Sequence, residues 1–261
     1  MRSAYLVPAL ALVGAVIAIP LAGVMAQGLP HIGEAFDDPT MRHAAATTAR
    51  FAIATVALEL VIGLASALLL HQTFRLRGLA RAIALVPWAL PTAVMAMSWK
   101  WIYDPTAGIA NALLGTRIAW LGVPDTAFWA LVVADVWKTT PFVTIILLAG
   151  LQSIPRDLYE ALAVDGGGPV RRFFWITLPL LRPSIALALT FRLIQSLGIF
   201  DLVYVMTGGG PGDATKTVAL YIYETTIKFG EPRYGAALTA LAAAGSFALA
   251  LALGAIARGR R

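Results

Sequence analysis

The long apolar runs of this 261-residue chain restrict its fold more than any other feature. Six segments contain enough apolar residues, about 20 each, to cross the roughly 30 Å hydrocarbon core of a bilayer as helices. They cover residues 4–26, 48–70, 80–103, 127–150, 184–206 and 234–257. Polar and apolar residues do not alternate with period two, so a β-barrel is not expected. The sequence predicts an all-α, polytopic membrane protein in which residues 1–261 form one transmembrane domain.

The composition agrees with a membrane location and excludes several kinds of site. Hydrophobic residues make up 59% of the chain and charged residues 13%, with a mean hydropathy of +0.77, whereas soluble domains carry about 25% charged residues. The chain has no cysteine, which excludes disulfides and thiolate metal sites. His31, His43 and His71 are scattered without metal-ligand spacing, so we expect neither a metal site nor a cofactor in this chain.

The basic residues predict the orientation of the spans. More than half of them fall in the segments that share one side of the membrane: Arg2, Arg75, Arg77, Arg81, Arg156, Arg171, Arg172, Arg182, Arg258, Arg260 and Arg261. Because basic residues concentrate on the cytoplasmic side, both termini and the segment 151–183 are predicted to be cytoplasmic. The first span could instead be a signal peptide cleaved after Val24-Met25-Ala26. Its length and its poor basic region favour a retained helix, kinked at Pro20.

The segment 151–183 is polar and kinked in a chain that is otherwise apolar. Residues 156–164 read as a short helix with Leu158, Ala161 and Leu162 on one face, and the glycines at 166–168 end it. A second amphipathic stretch covers 173–176. Leu178-Pro179 and Pro183 are expected to turn the chain back into the membrane. Two short helices hinged at glycines would be tied to the fourth and fifth spans.

This segment carries a spaced motif: Glu-Ala-Ala, three residues, Gly, nine residues, Ile, one residue, Leu-Pro. The chain matches it at Glu160, Ala161, Gly166, Ile176, Leu178 and Pro179, and Leu162 stands where the pattern has its second Ala. The motif resembles that of the permease subunits of binding-protein-dependent ABC importers. The resemblance implies a coupling helix, anchored by Glu160, that docks on a separate ATPase subunit which binds ATP and Mg. The residues assigned to this coupling are Glu160, Ala161, Leu162, Asp165, Gly166, Ile176, Leu178 and Pro179.

Three further stretches are similar to the carbohydrate-importing branch of that family, of trehalose and maltose type. They are residues 135–142, residues 200–211 and residues 234–237, with Thr217 and Tyr221 to Tyr223 between the last two. The resemblance implies a disaccharide such as trehalose or maltose as the substrate, with glycerol 3-phosphate and other oligosaccharides as alternatives. It also implies a second homologous permease, two ATPase subunits, and a periplasmic or lipoprotein binding protein in a prokaryotic plasma membrane.

Ionisable and aromatic residues inside the spans are candidates for the substrate path, because buried charges are costly in a membrane. The candidates are Asp135, Trp137, Lys138, Phe142, Arg192, Gln195, Phe200, Asp201 and Tyr204, with Glu59 as a further ionisable group. Asp135 and Lys138 are three residues apart and could pair on one helix face. Arg192 could pair with a carboxylate of a neighbouring helix. Such pairs could equally hold the helices together. The prolines Pro87, Pro91 and Pro141 could kink the spans.

Other functions fit the sequence less well. A gradient-driven secondary transporter would favour internal inverted repeats, and we find no convincing repeat. The glycine-rich run 208–217 contains Lys216-Thr217, but a phosphate-binding loop needs Gly directly before the Lys, and Thr215 stands there. No Ser/His or His/Glu constellation suggests an intramembrane enzyme. We therefore expect a transport subunit without catalytic residues.

Overall fold

The computed structural model describes residues 3–258, which fold into helices joined by short loops, with no strand among them. The predicted cytoplasmic residues Arg2, Arg260 and Arg261 lie outside this range. The helices are α1 (Ser3–Gly28), α2 (Ile32–Asp37), α3 (Pro39–His71), α4 (Arg77–Ala89), α5 (Thr92–Ile102), α6 (Ile109–Leu114), α7 (Pro124–Gln152), α8 (Arg156–Val164), α9 (Pro169–Arg172), α10 (Leu178–Leu197), α11 (Asp201–Met206), α12 (Val218–Tyr223) and α13 (Pro232–Arg258).

Most of the predicted spans are confirmed as long apolar helices. Within the described residues, five helices are long and apolar enough to cross a membrane, or six if one bent pair is counted as a single span. The first, second, fourth and sixth predicted spans correspond to α1, α3, α7 and α13. The all-α membrane fold expected from the sequence is therefore correct.

The third span is not one straight helix, contrary to the prediction for residues 80–103. Helices α4 and α5 meet at an angle of 91°. The break falls at Pro91, which lacks an N–H group and forces Leu90 into an extended conformation with ψ of 138°. The Lys138 Nζ donates to the carbonyl oxygens of Leu90 at 2.5 Å and Trp88 at 3.5 Å, and so satisfies acceptors that the broken helix leaves open.

The fifth span also differs from the predicted 184–206. A continuous helical run extends from Pro169 to Leu197, and residues 198–200 then separate it from α11. The expectation that Leu178-Pro179 and Pro183 turn the chain was wrong, because both prolines lie within the run. A π-helical turn at Phe173–Thr177 immediately precedes Pro179, where a change in winding can accommodate the missing N–H.

Three long helices form the centre of the bundle. Helix α3 packs along α7, and α10 lies against both, whereas α1 packs against α13. A buried apolar cluster that includes Val143, Leu147, Leu151 and Leu181 joins α7 to α10 near the end of the bundle that carries α8. We call this end the α8 end and the opposite one the α12 end.

A buried ionic network connects the three central helices. Arg192 of α10 donates from Nε and Nη2 to the Glu59 carboxylate of α3, at 2.5 and 2.7 Å, and from Nη2 to Asp135 Oδ2 of α7 at 2.9 Å. Thr139 Oγ1 donates to Glu59 Oε1 at 2.6 Å. Glu59, Arg192 and Asp135 are 0%, 2% and 6% exposed, so each charge depends on the others for compensation.

This network corrects the pairing expected for Asp135. Asp135 bonds to Arg192 of another helix, and Lys138 bonds to the carbonyl groups at the α4–α5 break. Because Asp135 and Arg192 are enclosed by the three helices, the structure favours a role in holding the helices together over direct substrate contact.

A second polar cluster fastens the α12 end of the bundle. Asp38 precedes α3 and accepts hydrogen bonds from the Thr40 amide at 2.7 Å, Tyr221 Oη at 2.6 Å and Tyr234 Oη at 2.8 Å. Partial burial alone would raise the pKa of Asp38, but these hydrogen bonds outweigh it and hold the pKa below its usual value. Burial and the Asp38 carboxylate raise the pKa of Tyr221 to about 12.

Replacing Arg192 tests how much the ionic network stabilises the bundle. Arg192→Met should leave two buried carboxylates without a cation and lower the stability by about 3–5 kcal/mol, the cost of breaking a buried ion pair. The variant that also carries Glu59→Leu and Asp135→Leu should recover most of the loss, because no uncompensated charge remains. Thermal unfolding of the purified protein measures both effects. A triple variant no more stable than Arg192→Met would contradict this explanation.

The Asp38 cluster predicts a loss of stability in acid. Because the pKa of Asp38 is lower in the folded than in the unfolded chain, its contribution is complete above the unfolded value of about 3.9 and disappears as the pH falls through the folded value. Asp38→Asn should remove this part of the pH dependence. Unfolding temperatures of the two proteins, compared across the acidic range, should converge at the lowest pH. A constant difference would rule out the titration of Asp38 as the cause.

Candidate functional site

The short helix α8 forms where the sequence predicted it and projects from the bundle. Pro155 precedes it in an extended conformation, with ψ of 136°, and Asp157 lies in its first turn, where an acidic side chain interacts favourably with the helix dipole. None of its residues is buried. Glu160 and Ala161 are exposed, Leu162 is half-buried, and Val164 is 88% exposed. The helix therefore presents a mixed acidic and apolar surface.

Two glycines end α8 abruptly. Gly166 has a φ of +74°, a conformation that residues with a Cβ rarely adopt. The next residue, Gly167, donates its amide to the Leu162 carbonyl at 2.8 Å. A Cβ at Gly167 would overlap the Leu162 side chain. The glycines thus allow the chain to reverse direction while it stays packed against α8. Asp165 is the C-cap residue of the helix and is exposed.

The projecting helix is fastened to two of the long helices. Tyr159 Oη and Thr177 Oγ1 form a hydrogen bond of 3.0 Å, which joins α8 to the π-helical turn before α10. Tyr159 and Ile176 also pack against the buried cluster that contains Leu151 and Leu181. The clamp formed by Tyr159 and Thr177 was not predicted from the sequence. The motif gave no signal for it, because Tyr159 lies just before the pattern and Thr177 occupies a position that the pattern leaves unspecified.

The motif residues that follow the glycines lie in a more buried environment than α8. Ile176, Leu178 and Pro179 are half-buried at the base of α10, so they support α8 from below and do not extend its exposed surface. Beyond the glycines, Arg171 lies over the Trp175 ring at 4.2 Å.

The structure brings together three of the residues predicted for the substrate path. Phe142 of α7 stacks on Trp88 at 5.9 Å and meets Phe191 of α10 edge-on at 6.0 Å. Lys138 lies one helical turn before Phe142, and Gln195 lies one turn after Phe191. Phe191 and Gln195 are exposed. These five residues form one aromatic and polar surface, which we call the Phe142 face.

The network behind this face fixes the Gln195 amide. Arg192 Nη1 donates to Gln195 Oε1 at 2.6 Å, which leaves the amide N–H donors directed away from Arg192. Neither Trp88 nor Phe191 was among the substrate-path candidates predicted from the sequence. The four-residue spacing of Phe191 and Gln195 was the signal that could have revealed Phe191.

The remaining path candidates lie elsewhere. Trp137 is 43% exposed and meets Trp99 at 5.8 Å. Phe200 and Tyr204 stack at 5.3 Å and both contact Tyr223, near the start of α11. Asp201 is exposed in the first turn of that helix. The predicted set therefore divides into the buried network, the Phe142 face, Trp137 in the middle of α7, and residues towards the α12 end.

The glycine-rich loop at the α12 end is folded upon itself. Thr207 and Thr215 hydroxyls lie 2.8 Å apart, and Thr215 Oγ1 donates to the Gly210 carbonyl at 2.7 Å. Lys216 pairs with Asp213 at 2.9 Å and Glu224 at 3.0 Å. These ion pairs occupy the ammonium group that a phosphate-binding loop would need.

Known proteins resemble this chain along most of its length. Residues 59–261 match the family described as binding-protein-dependent transport system inner membrane component. The trehalose/maltose transport system permease protein MalF of Thermococcus litoralis is 46% identical over 198 residues, which cover 74% of this chain and 67% of that protein. The sulfoquinovosyl glycerol transport system permease protein SmoG of Agrobacterium fabrum is 42% identical over 225 residues, covering 85% and 72%.

A solved structure shares the fold at lower sequence similarity. The structure of a bacterial ABC transporter involved in the import of the acidic polysaccharide alginate aligns with a TM-score of 0.88 at 21% identity, over 98% of this chain and 94% of that one. The match of residues 59–261, together with relatives above 40% identity, shows that the chain belongs to the family of binding-protein-dependent transport system inner membrane components.

Proposed function

We propose that this chain is one permease subunit of an ATP-binding-cassette importer and translocates a sugar delivered by an extracytoplasmic binding protein. The observation that carries the proposal is the exposed helix α8, which is fastened to both α7 and α10. A membrane protein gains little from projecting apolar side chains such as Val164 into solvent unless a partner covers them. The names of the relatives favour a sugar as the substrate, and the family resemblance of the motifs implies a second, homologous permease as a partner.

The coupling step follows from how α8 is held. Two ATPase subunits, which bind ATP and Mg, grip α8 and the equivalent helix of the second permease. Closing of the ATPases moves α8, and the Tyr159–Thr177 clamp passes this movement to α7 and α10. The buried ionic network makes α3 follow, since separating Arg192 from Glu59 would be costly. The permease then alternates between inward-facing and outward-facing states without any catalytic residue of its own.

In this proposal the α8 end of the bundle faces the inside of a prokaryotic cell. The basic residues of the α3–α4 loop and of the segment around α8 support this orientation, which makes both termini cytoplasmic. The α12 end, with its folded glycine-rich loop, meets the binding protein, which is periplasmic or a lipoprotein.

The charges along the path favour a neutral disaccharide of trehalose or maltose type. Arg192 is compensated by two carboxylates, and Lys138 donates to backbone carbonyls. The charge of Arg192 is therefore already balanced, and Lys138 gives two of its three N–H donors to backbone carbonyls, which disfavours an anionic substrate such as glycerol 3-phosphate. The Phe142 face instead offers aromatic rings for the C–H surfaces of a sugar and the oriented Gln195 amide for its oxygen atoms.

Substitutions in α8 should uncouple ATP hydrolysis from transport. Gly166→Pro cannot keep a φ of +74°, since proline is fixed near −65°, and Glu160→Lys reverses the charge on the exposed surface. Each variant should reduce uptake about tenfold or more, in line with a coupling free energy of about 1–3 kcal/mol. Uptake and ATPase activity of the assembled importer are measured in parallel.

Two variants serve as controls for this prediction. Gly168→Ala should be harmless, because Gly168 has a φ of −71° and a Cβ there has open space. Glu231→Lys changes the charge of an exposed residue far from α8 along the chain. Normal uptake by Gly166→Pro and Glu160→Lys would argue against docking at α8.

Transport in membrane vesicles tests the function itself. Vesicles that contain this chain, its partner permease and the ATPases should accumulate a neutral disaccharide when ATP and the loaded binding protein are supplied. An ion gradient alone should produce no accumulation. Uptake driven by a gradient without ATP would identify a secondary transporter instead, and preferential uptake of glycerol 3-phosphate would refute the neutral substrate.

A further inference from the structure

An apolar groove lies along α7, between α3 and α4. It consists of two adjoining cavities of about 430 and 280 Å³, which share Ala84, Pro141 and Thr144 in their walls. Helix α3 contributes a row of residues from Leu58 to Leu70 at helical spacing. The two cavities are lined mainly by apolar side chains, and Trp137, one of the candidates for the substrate path, lines the first. No residue of the ionic network or of the Phe142 face lines either cavity.

The length of the groove matches one leaflet of a bilayer. The part of α3 that lines it, from Leu58 to Leu70, is about 18 Å long at 1.5 Å per residue, compared with about 15 Å for half of the hydrocarbon core. Beside the groove, none of the α4 residues is buried within the chain, and Leu79, Ile83 and Val86 are 54–60% exposed. Helix α4 is therefore amphipathic and faces apolar surroundings along one side.

A guanidinium group stands at the α8 end of the groove. Arg81 lines the second cavity and donates from Nη2 to the Leu70 carbonyl at 2.9 Å. Its Nε atom is buried and has no hydrogen-bond partner among the described residues. Arg77, Arg81 and Arg156 all lie within electrostatic range of the His71 ring. An anion at this position would meet several positive charges and an unused N–H donor.

We propose that this groove binds one anionic phospholipid, with an acyl chain between α3 and α4 and the phosphate at Arg81. An apolar helix of a partner subunit would fill the groove but leave the Arg81 Nε–H unsatisfied. A phosphate oxygen accepts such a hydrogen bond and adds charge attraction. An acyl chain also suits an apolar groove that is as long as one leaflet and has a cation at one end.

Lipid binding can be measured on the full-length chain purified with its partner subunits. After exchange into phosphatidylglycerol or phosphatidylcholine, native mass spectrometry counts the lipids that remain bound. We expect the wild-type protein to retain phosphatidylglycerol preferentially. Arg81→Gln should weaken retention about tenfold, the effect of losing a charge-assisted hydrogen bond. Ala84→Phe should block the groove while keeping Arg81, and should have a similar effect.

Control variants and probes separate the possible occupants. Arg75→Gln removes a charge from the loop that precedes α4, but Arg75 does not line the groove, so lipid retention should be unchanged. Inorganic phosphate should not displace the lipid or raise the unfolding temperature as phosphatidylglycerol does. The proposal is overturned if Arg75→Gln loses as much lipid as Arg81→Gln, if phosphate alone protects equally, or if Ala84→Phe retains the lipid. It is also overturned if the intact complex holds no lipid because a partner helix fills the groove.

Discussion

The arrangement of the bundle depends on a single guanidinium held between two carboxylates. Three charges placed in the middle of apolar helices would be prohibitive if they were separate, because each would lose its hydration without compensation. Arg192 bonds to Glu59 and Asp135 at once, which fixes α10 against α3 and α7 at the same height. The possible registers of three apolar helices differ little in packing energy, so the polar contact selects one of them. We expect α3, α7 and α10 to move as one body.

Two of the spans are interrupted. The third span breaks at Pro91 and the fifth at residues 198–200, and the pieces beyond the breaks, α5 and α11, pack against each other. Their contact belongs to a buried cluster that includes Leu202 and Met206 and also residues of α3 and α7. Movement applied at α8 reaches the long helices first. The breaks are the places where the α12 end can respond differently from the α8 end.

The sequence predicted those features that depend on local pattern. Hydropathy located α3, α7 and α13, and the proline and glycine that flank α8 marked its bounds. The sequence did not determine the features that depend on contacts between helices. Asp135 and Lys138 have suitable spacing for a pair, but Arg192 from another helix competes better for the carboxylate. Pro179 looked like a turn because proline usually ends helices, and the π-helical turn that accommodates it has no simple sequence signal.

The same contrast between local and tertiary contacts decides which residues matter in α8. A surface ion pair of Glu160 would contribute about 0–1 kcal/mol, whereas burial of apolar surface contributes about 25 cal/mol per Å². Val164 and Leu158 are 88% and 42% exposed, so they offer more binding free energy than the acidic residue that defines the motif. To transmit a movement, however, α8 must be held rigidly by the bundle as well as bound tightly by a partner. Stiffness comes from Tyr159 and Thr177, whose identities the motif does not specify, and from the Arg192 network, which includes α10.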